Sequence, residues 1–102
     1  PVSLAPFQLA LVPVNLNIPE QKAAAEQIYQ AATAAGLDVI FDDRDLRVGV
    51  KLKDIDLMGI PVKVIIGKAL AEGKVELKLR RTGAVHLVVV AEAVTAIKGL
   101  LA

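Results

Sequence analysis

The sequence predicts an α/β fold of the three-layer α/β/α kind, built on a five-stranded mixed sheet with three helices. Three observations carry that expectation. Short, almost wholly apolar runs at residues 7–14, 39–42 and 62–66 alternate with helix-like segments, as in a parallel sheet covered on both faces. Residues 67–73 are all that separate the third run from the next, and a parallel crossover needs about a dozen residues or more. Residues 74–79 then alternate, with Val75, Leu77 and Leu79 set between Lys74, Glu76, Lys78 and Arg80, so this strand has one wet face and runs antiparallel.

The elements follow in order. Residues 7–14 (FQLALVPV) form the first strand. Pro19 and Glu20 open a helix, because proline suits the first turn and an acid suits the positive end of the helix dipole. Ala24, Ile28, Ala31 and Ala35 are expected to face inward and Lys22, Glu26, Gln30 and Thr33 outward, and Gly36 ends the helix. Residues 39–42 are a second short strand. Residues 49–58 read as a second helix, broken by Gly59-Ile60-Pro61, and residues 62–66 as a third strand. After the fourth strand, Thr82-Gly83 marks a turn into a fifth at residues 85–90. Residues 91–101 close the chain as a helix with Val94, Ile97 and Leu101 inward. If the first strand lies between the second and third, the sheet order reverses there, and the loops after Val14 and Asp42 flank the place where such sheets bind ligands.

Composition narrows the function. The 102 residues make one domain, with a core of Ala, Val, Leu and Ile, since there is no Trp, one Tyr and two Phe. Cysteine is absent, which excludes disulfides, thiolate metal sites and cysteine nucleophiles. A formal net charge of +1 argues against nonspecific binding to nucleic-acid phosphates, DNA included. No apolar run approaches the roughly 18 residues of a membrane span, so no membrane partner is expected; the absence of cysteine suits a cytoplasmic location, and no signal peptide is visible. The chain starts at Pro1 without an initiator methionine, and it is expected to be a domain excised from a longer protein.

Enzyme motifs are missing. No G-x-S-x-G, G-x-x-x-x-G-K-[ST] or G-x-G-x-x-G occurs. Ser3 is the sole serine and His86 the sole histidine, far apart in sequence, which speaks against a Ser-His pair, and His86 reads as a bystander on a strand. Asp42 and Asp43 have the character of a Mg²⁺ pair, but Arg44 and Arg47 beside them favour ion pairing, so no metal site is assigned.

The informative stretch is residues 42–56, DDRDLRVGVKLKDID, with five aspartates and four basic residues. Leu52 and Ile55 share one helix face and Val50 and Leu57 nearly the opposite one. Lys51 and Asp54 share a flank, and Lys53 and Asp56 take the other. A surface helix laced with ion pairs is the plain alternative, yet exposed pairs contribute only about 0–1 kcal/mol each, so stability accounts poorly for the pattern. Carboxylates and guanidinium groups on a rigid frame suit a ligand with both donors and acceptors, such as an unstacked nucleobase edge. The basic alternation Lys74, Lys78, Arg80, Arg81 reads either as an edge guarded by lysines or as a phosphate-steering stripe.

These residues carry a resemblance. APFQLALVPV, then a helix, then DVIFDDRDLRVGVKLKDIDLMGIPVKVIIG and KVELKLRRTG resemble the C-terminal anticodon-binding domain of class II aminoacyl-tRNA synthetases, most of all the bacterial-type prolyl branch. The likeness runs from Leu4 to about Leu101. Asp42-Asp43-Arg44, Gly49, Lys51, Asp54 and Leu57-x-Gly59-Ile60-Pro61 stand in that family's register.

The resemblance implies the anticodon-binding-domain fold, with strand order 2-1-3-4-5 and strand 4 antiparallel. It implies recognition of the tRNA(Pro) anticodon stem-loop, whose second and third anticodon bases are guanines, with the synthetase's catalytic domain as a further partner. A guanine Watson–Crick edge offers N1–H and N2–H₂ to a carboxylate and O6 to Arg or Lys. Arg44, Asp45, Lys51 and Asp54 are the implied anticodon contacts, with Arg47 outside them nearer phosphate; Lys78 and Arg80 are candidate phosphate contacts from the basic alternation alone. No catalytic residue, metal or cofactor is expected in this chain, whereas the parent ligase would use ATP and Mg²⁺ elsewhere. Two positions depart from the family pattern. Leu46 stands where an acid is frequent, and Leu52 where a Phe is frequent that would pack under the loop or stack on a base. The rival expectation is a stand-alone relative that keeps the fold for protein–protein contact without reading RNA.

Overall fold

The computed structural model describes residues 7–15, 17–43 and 47–101. Five strands form one sheet in the order β2-β1-β3-β4-β5. Strands β1 (Leu9–Pro13), β2 (Val39–Phe41) and β3 (Val62–Ile66) are parallel, while β4 (Lys74–Leu79) runs antiparallel to both β3 and β5 (Val85–Val89). Helices α1 (Pro19–Ala34), α2 (Val48–Leu57) and α3 (Ala93–Leu101) complete the three layers. The predicted class and order hold, and the element ends differ by a residue or two.

The alternation of side chains across the sheet divides the core in two. Leu9, Leu11, Val62, Val64, Ile66, Val75 and Leu77 point to one face, where Ala24, Ala25, Ile28 and Ala32 of α1 and Ala93 and Ile97 of α3 cover them. Ala10 and Val12 point to the other face, where Ile55 of α2 and Ile60 cover them. Strand β1 is buried along its whole length, as its apolar run requires.

Glycine stops the first two helices by the same device. At the end of α2, the Gly59 N–H donates to the Asp56 carbonyl (3.0 Å) and the Ile60 N–H to the Ile55 carbonyl (3.4 Å). At the end of α1, Gly36 N–H donates to Thr33 (3.0 Å) and Leu37 N–H to Ala32 (3.0 Å). These are Schellman closures, and each places its glycine at positive φ, +85° for Gly36 and +78° for Gly59. The apolar contact that accompanies the motif is present at α2, where Ile55 and Ile60 share one cluster.

Three details depart from the sequence expectations. The inward face of α1 is Gln21, Ala24, Ala25, Ile28 and Ala32, whereas Ala31 and Ala35 are exposed. Alanines surround this helix, so their spacing does not single out one face. The connection between β3 and β4 folds into a 3-10 turn, Lys68–Glu72, which gives its backbone partners over a span too short for a crossover helix. The last helix begins at Ala93 after a separate 3-10 turn over Val90–Glu92.

Candidate nucleic-acid interface

Strand β1 lies between β2 and β3, so the sheet order reverses at β1 and the carboxyl ends of all three strands, Pro13, Phe41 and Ile66, define one edge. Backbone bonds extend the pairing past the strands there. The Asp42 N–H donates to the Leu11 carbonyl (2.9 Å) and the Val14 N–H to the Ile66 carbonyl (2.9 Å). Helix α2 starts at this edge. Arg47 is its N-cap, in extended backbone, and its carbonyl accepts from the N–H groups of Val50 (3.0 Å) and Lys51 (3.2 Å). The first turn has neither a side-chain cap nor an acid, and the Arg47 side chain is exposed.

Lys51, expected at the ligand, lies beneath this edge. Its side chain is 2% exposed. Its ammonium donates to the carbonyls of Pro13 and Asp42, both at 3.3 Å. One charge therefore ties the ends of β1 and β2 to the first turn of α2. The alternation of Lys51 with its apolar neighbours does not show this, because α2 has charges on both flanks.

Asp54, one turn further on, is half-buried and borders a cleft of about 310 Å³ between α2 and the β2 edge. Ile40, Phe41, Ile55 and Met58 line it with Asp42 and Asp43. An apolar floor with carboxylates at its rim matches a flat heterocycle whose N–H groups need acceptors. Phe41 is only partly buried, and its ring meets Tyr29 edge-on with centroids 6.2 Å apart. The sequence marked Asp54 but not Ile40 or Met58, and the signal for them was their place beside the β2 end and the α2 stop. Among the described residues no group of three His, Cys, Asp or Glu is placed to hold a metal ion. Arg44 and Asp45, the remaining implied base contacts, and Leu46 lie outside the described residues.

Leu52 packs against the Ala10, Val12, Ile55 and Ile60 cluster. An aromatic at this position would face the core, so the departure at Leu52 alters packing beneath the sheet and removes no stacking platform.

Lys78 and Arg80 sit at the opposite edge, beside the start of β3. Strand β4 is interior, between β3 and β5, so its lysines do not guard a sheet edge. They lie with Glu76 on the face that α2 leaves open, next to exposed Val85, Leu87 and Val89 of β5. His86 is exposed on β5. Among the described residues no helix is long and apolar enough to cross a membrane.

The order of the sheet, the helix that starts at its reversal point and the acid-rimmed cleft beside it define an α/β ligand-recognition domain. The chain matches the family described as "Anticodon binding domain" over residues 8–100 and belongs to it. It is 50% identical to the proline--tRNA ligase of Gloeobacter violaceus over 101 residues and 50% identical to that of Geobacter metallireducens over 102. It is 42% identical to the proline--tRNA ligase of Thermoanaerobacter sp. strain X514 over 101 residues. Each match takes in 99% of this chain but only 17–18% of the relative, so the chain spans about one-sixth of those proteins' length.

Proposed function

We propose that this domain binds the anticodon loop of tRNA(Pro) and reads its guanines as part of a proline–tRNA ligase. The observation that carries the reading is the cleft at the β2 end, with its apolar floor and carboxylates, in a chain that belongs to the anticodon-binding family. A guanine fits such a cleft by presenting N1–H and N2–H₂ to carboxylate oxygens, and a guanidinium at the same edge donates to O6. Asp54 supplies one acceptor from α2, and Arg44 and Asp45 supply the donor and the second acceptor from the loop after β2. Lys51 holds the two strand ends in place from below, and Arg47, exposed at the head of α2, meets the loop phosphates.

Proline activation with ATP and Mg²⁺, and transfer to tRNA, would belong to the catalytic domain of the longer protein, in the cytoplasm. The test is the affinity of the 102-residue chain for an RNA stem-loop with the proline anticodon against a matched stem-loop lacking the paired guanines. A clear preference for the first supports the reading. Equal affinities refute it and favour the protein-contact alternative.

A further inference from the structure

A second charged site lies at the far end of α2, and the fold builds it from three elements. Lys63 stands in the otherwise apolar β3, on the face toward α2, and is 1% exposed. Its ammonium pairs with the Asp56 carboxylate in the last turn of α2. The Arg80 side chain, just past β4, donates from Nε to the Asp56 carbonyl (2.9 Å). Its own backbone N–H is fixed by the Pro61 carbonyl (2.9 Å). Lys78 is the direct cross-strand partner of Lys63. Together with Leu79 and Gly83 these four side chains line a cleft of about 450 Å³.

The charges in this cleft do not balance. Lys63, Lys78 and Arg80 bring three positive charges against the single negative charge of Asp56, a local excess of two. Part of the excess answers the negative end of the α2 dipole, where Asp56 by itself is unfavourable. The dipole is equivalent to only about half a charge, so it leaves a surplus. Like charges directly opposite each other on neighbouring strands are also destabilising, and Lys63 and Lys78 are so placed. An anion at the mouth of the cleft, against Lys78 and Arg80, lowers that cost while the buried Lys63 ammonium stays with Asp56. Asp56 and the Arg80 bond to the helix end hold two of the cations in position beforehand, which distinguishes the cleft from scattered surface lysines.

We propose that the Lys63–Lys78–Arg80 cleft is a phosphate site that takes a backbone phosphate of the bound RNA, at the sheet edge opposite the anticodon cleft. This rests on the RNA-binding reading above and adds a second anchoring point to it. The site would fix the stem-loop along α2 without contributing to base choice.

The test uses the 102-residue chain, a proline-anticodon stem-loop and inorganic phosphate. Lys78→Gln removes one cation without disturbing the buried pair, and Lys98→Gln, at an exposed position of α3, is the charge-matched control. One single-strand phosphate contact contributes about 0.7 to the log–log salt slope. Lys78→Gln should therefore lower the slope by about that amount, so that its affinity falls about threefold less than wild type between about 50 and 200 mM salt. Lys98→Gln should leave the slope as it is. The Gly83 and Leu79 amide signals should move when the stem-loop is added.

An unchanged slope in Lys78→Gln overturns the proposal, as does an equal change in Lys98→Gln. Inorganic phosphate that moves the Gly83 signal where the stem-loop does not also overturns it, because the cleft then takes free anion only. Loss of preference between stem-loops, with the Lys78 slope effect intact, sinks the anticodon reading and supports this one.

Discussion

Replacing Lys51 with Met tests whether this residue supports the ligand edge from beneath. Methionine keeps the apolar stem of the side chain and deletes the ammonium. The carbonyls of Pro13 and Asp42 then lose their donor in a buried place. A bond to a charged donor contributes about 1.5–3 kcal/mol at good geometry. At 3.3 Å both bonds lie just beyond the usual range of about 2.7–3.2 Å, which argues for about 1 kcal/mol each. Removal of a buried charge acts in the other direction, since its desolvation cost disappears. Carbonyl oxygens that stay buried without a donor outweigh this, and the net loss should be about 2 kcal/mol. For a domain of this size that is a fall in Tm of about 8–16 °C. Thermal unfolding followed by circular dichroism at fixed pH and salt reads it directly. Stem-loop affinity, measured well below both transitions, should fall for any RNA sequence, because the edge loosens as a whole. A Tm that stays level or rises would refute the supporting role. An affinity loss confined to the proline stem-loop, with Tm unchanged, would return Lys51 to direct base contact.

Four further outcomes are expected. Arg44→Ala should narrow the advantage of the proline stem-loop over one lacking the guanines by about 1–3 kcal/mol, with little change in Tm; a lower Tm with the affinity ratio intact would make Arg44 structural. Ile55→Ala, which empties a buried position between α2 and the sheet, should cost about 2–5 kcal/mol in chemical denaturation. Gly59→Ala places a Cβ at φ +78°, in open space, so its cost of about 1 kcal/mol should come from backbone strain alone. The unmodified chain should bind its stem-loop with a log–log salt slope of about −1.5 to −3, as for two to four neutralised phosphates, and a flat line would argue that RNA is not the ligand.

Much of the fold was legible because its signals are local and steric. Pro19 starts α1, Gly36 and Gly59 stop α1 and α2, and seven residues between β3 and β4 leave only an antiparallel return. The place of the candidate site was legible in part: Asp54 of α2 borders one cleft with Asp42 and Asp43 at the end of β2. What escaped was the depth of individual lysines. Lys51 stood among the implied ligand contacts and Lys63 passed as part of an apolar strand, yet each is buried with its ammonium bonded. For Lys63 a signal existed, since it is a lone charge inside VKVII with Asp56 seven residues before it on the helix that covers that face. For Lys51 none did, because what holds it are backbone carbonyls of two other segments, which side-chain pattern cannot reveal. The inward face of α1 shifted for a similar reason, alanine contrasting too little with alanine.

The central claim is that carboxylates at this edge read the donors of guanine. Replacing each of the paired anticodon guanines with inosine, one at a time, removes the N2 amino group and leaves N1–H and O6. If the claim holds, each replacement should weaken binding to the 102-residue chain by about 1–3 kcal/mol, roughly five- to more than a hundredfold, because a carboxylate oxygen loses its partner. Affinities that stay within twofold of the guanine stem-loop would contradict it.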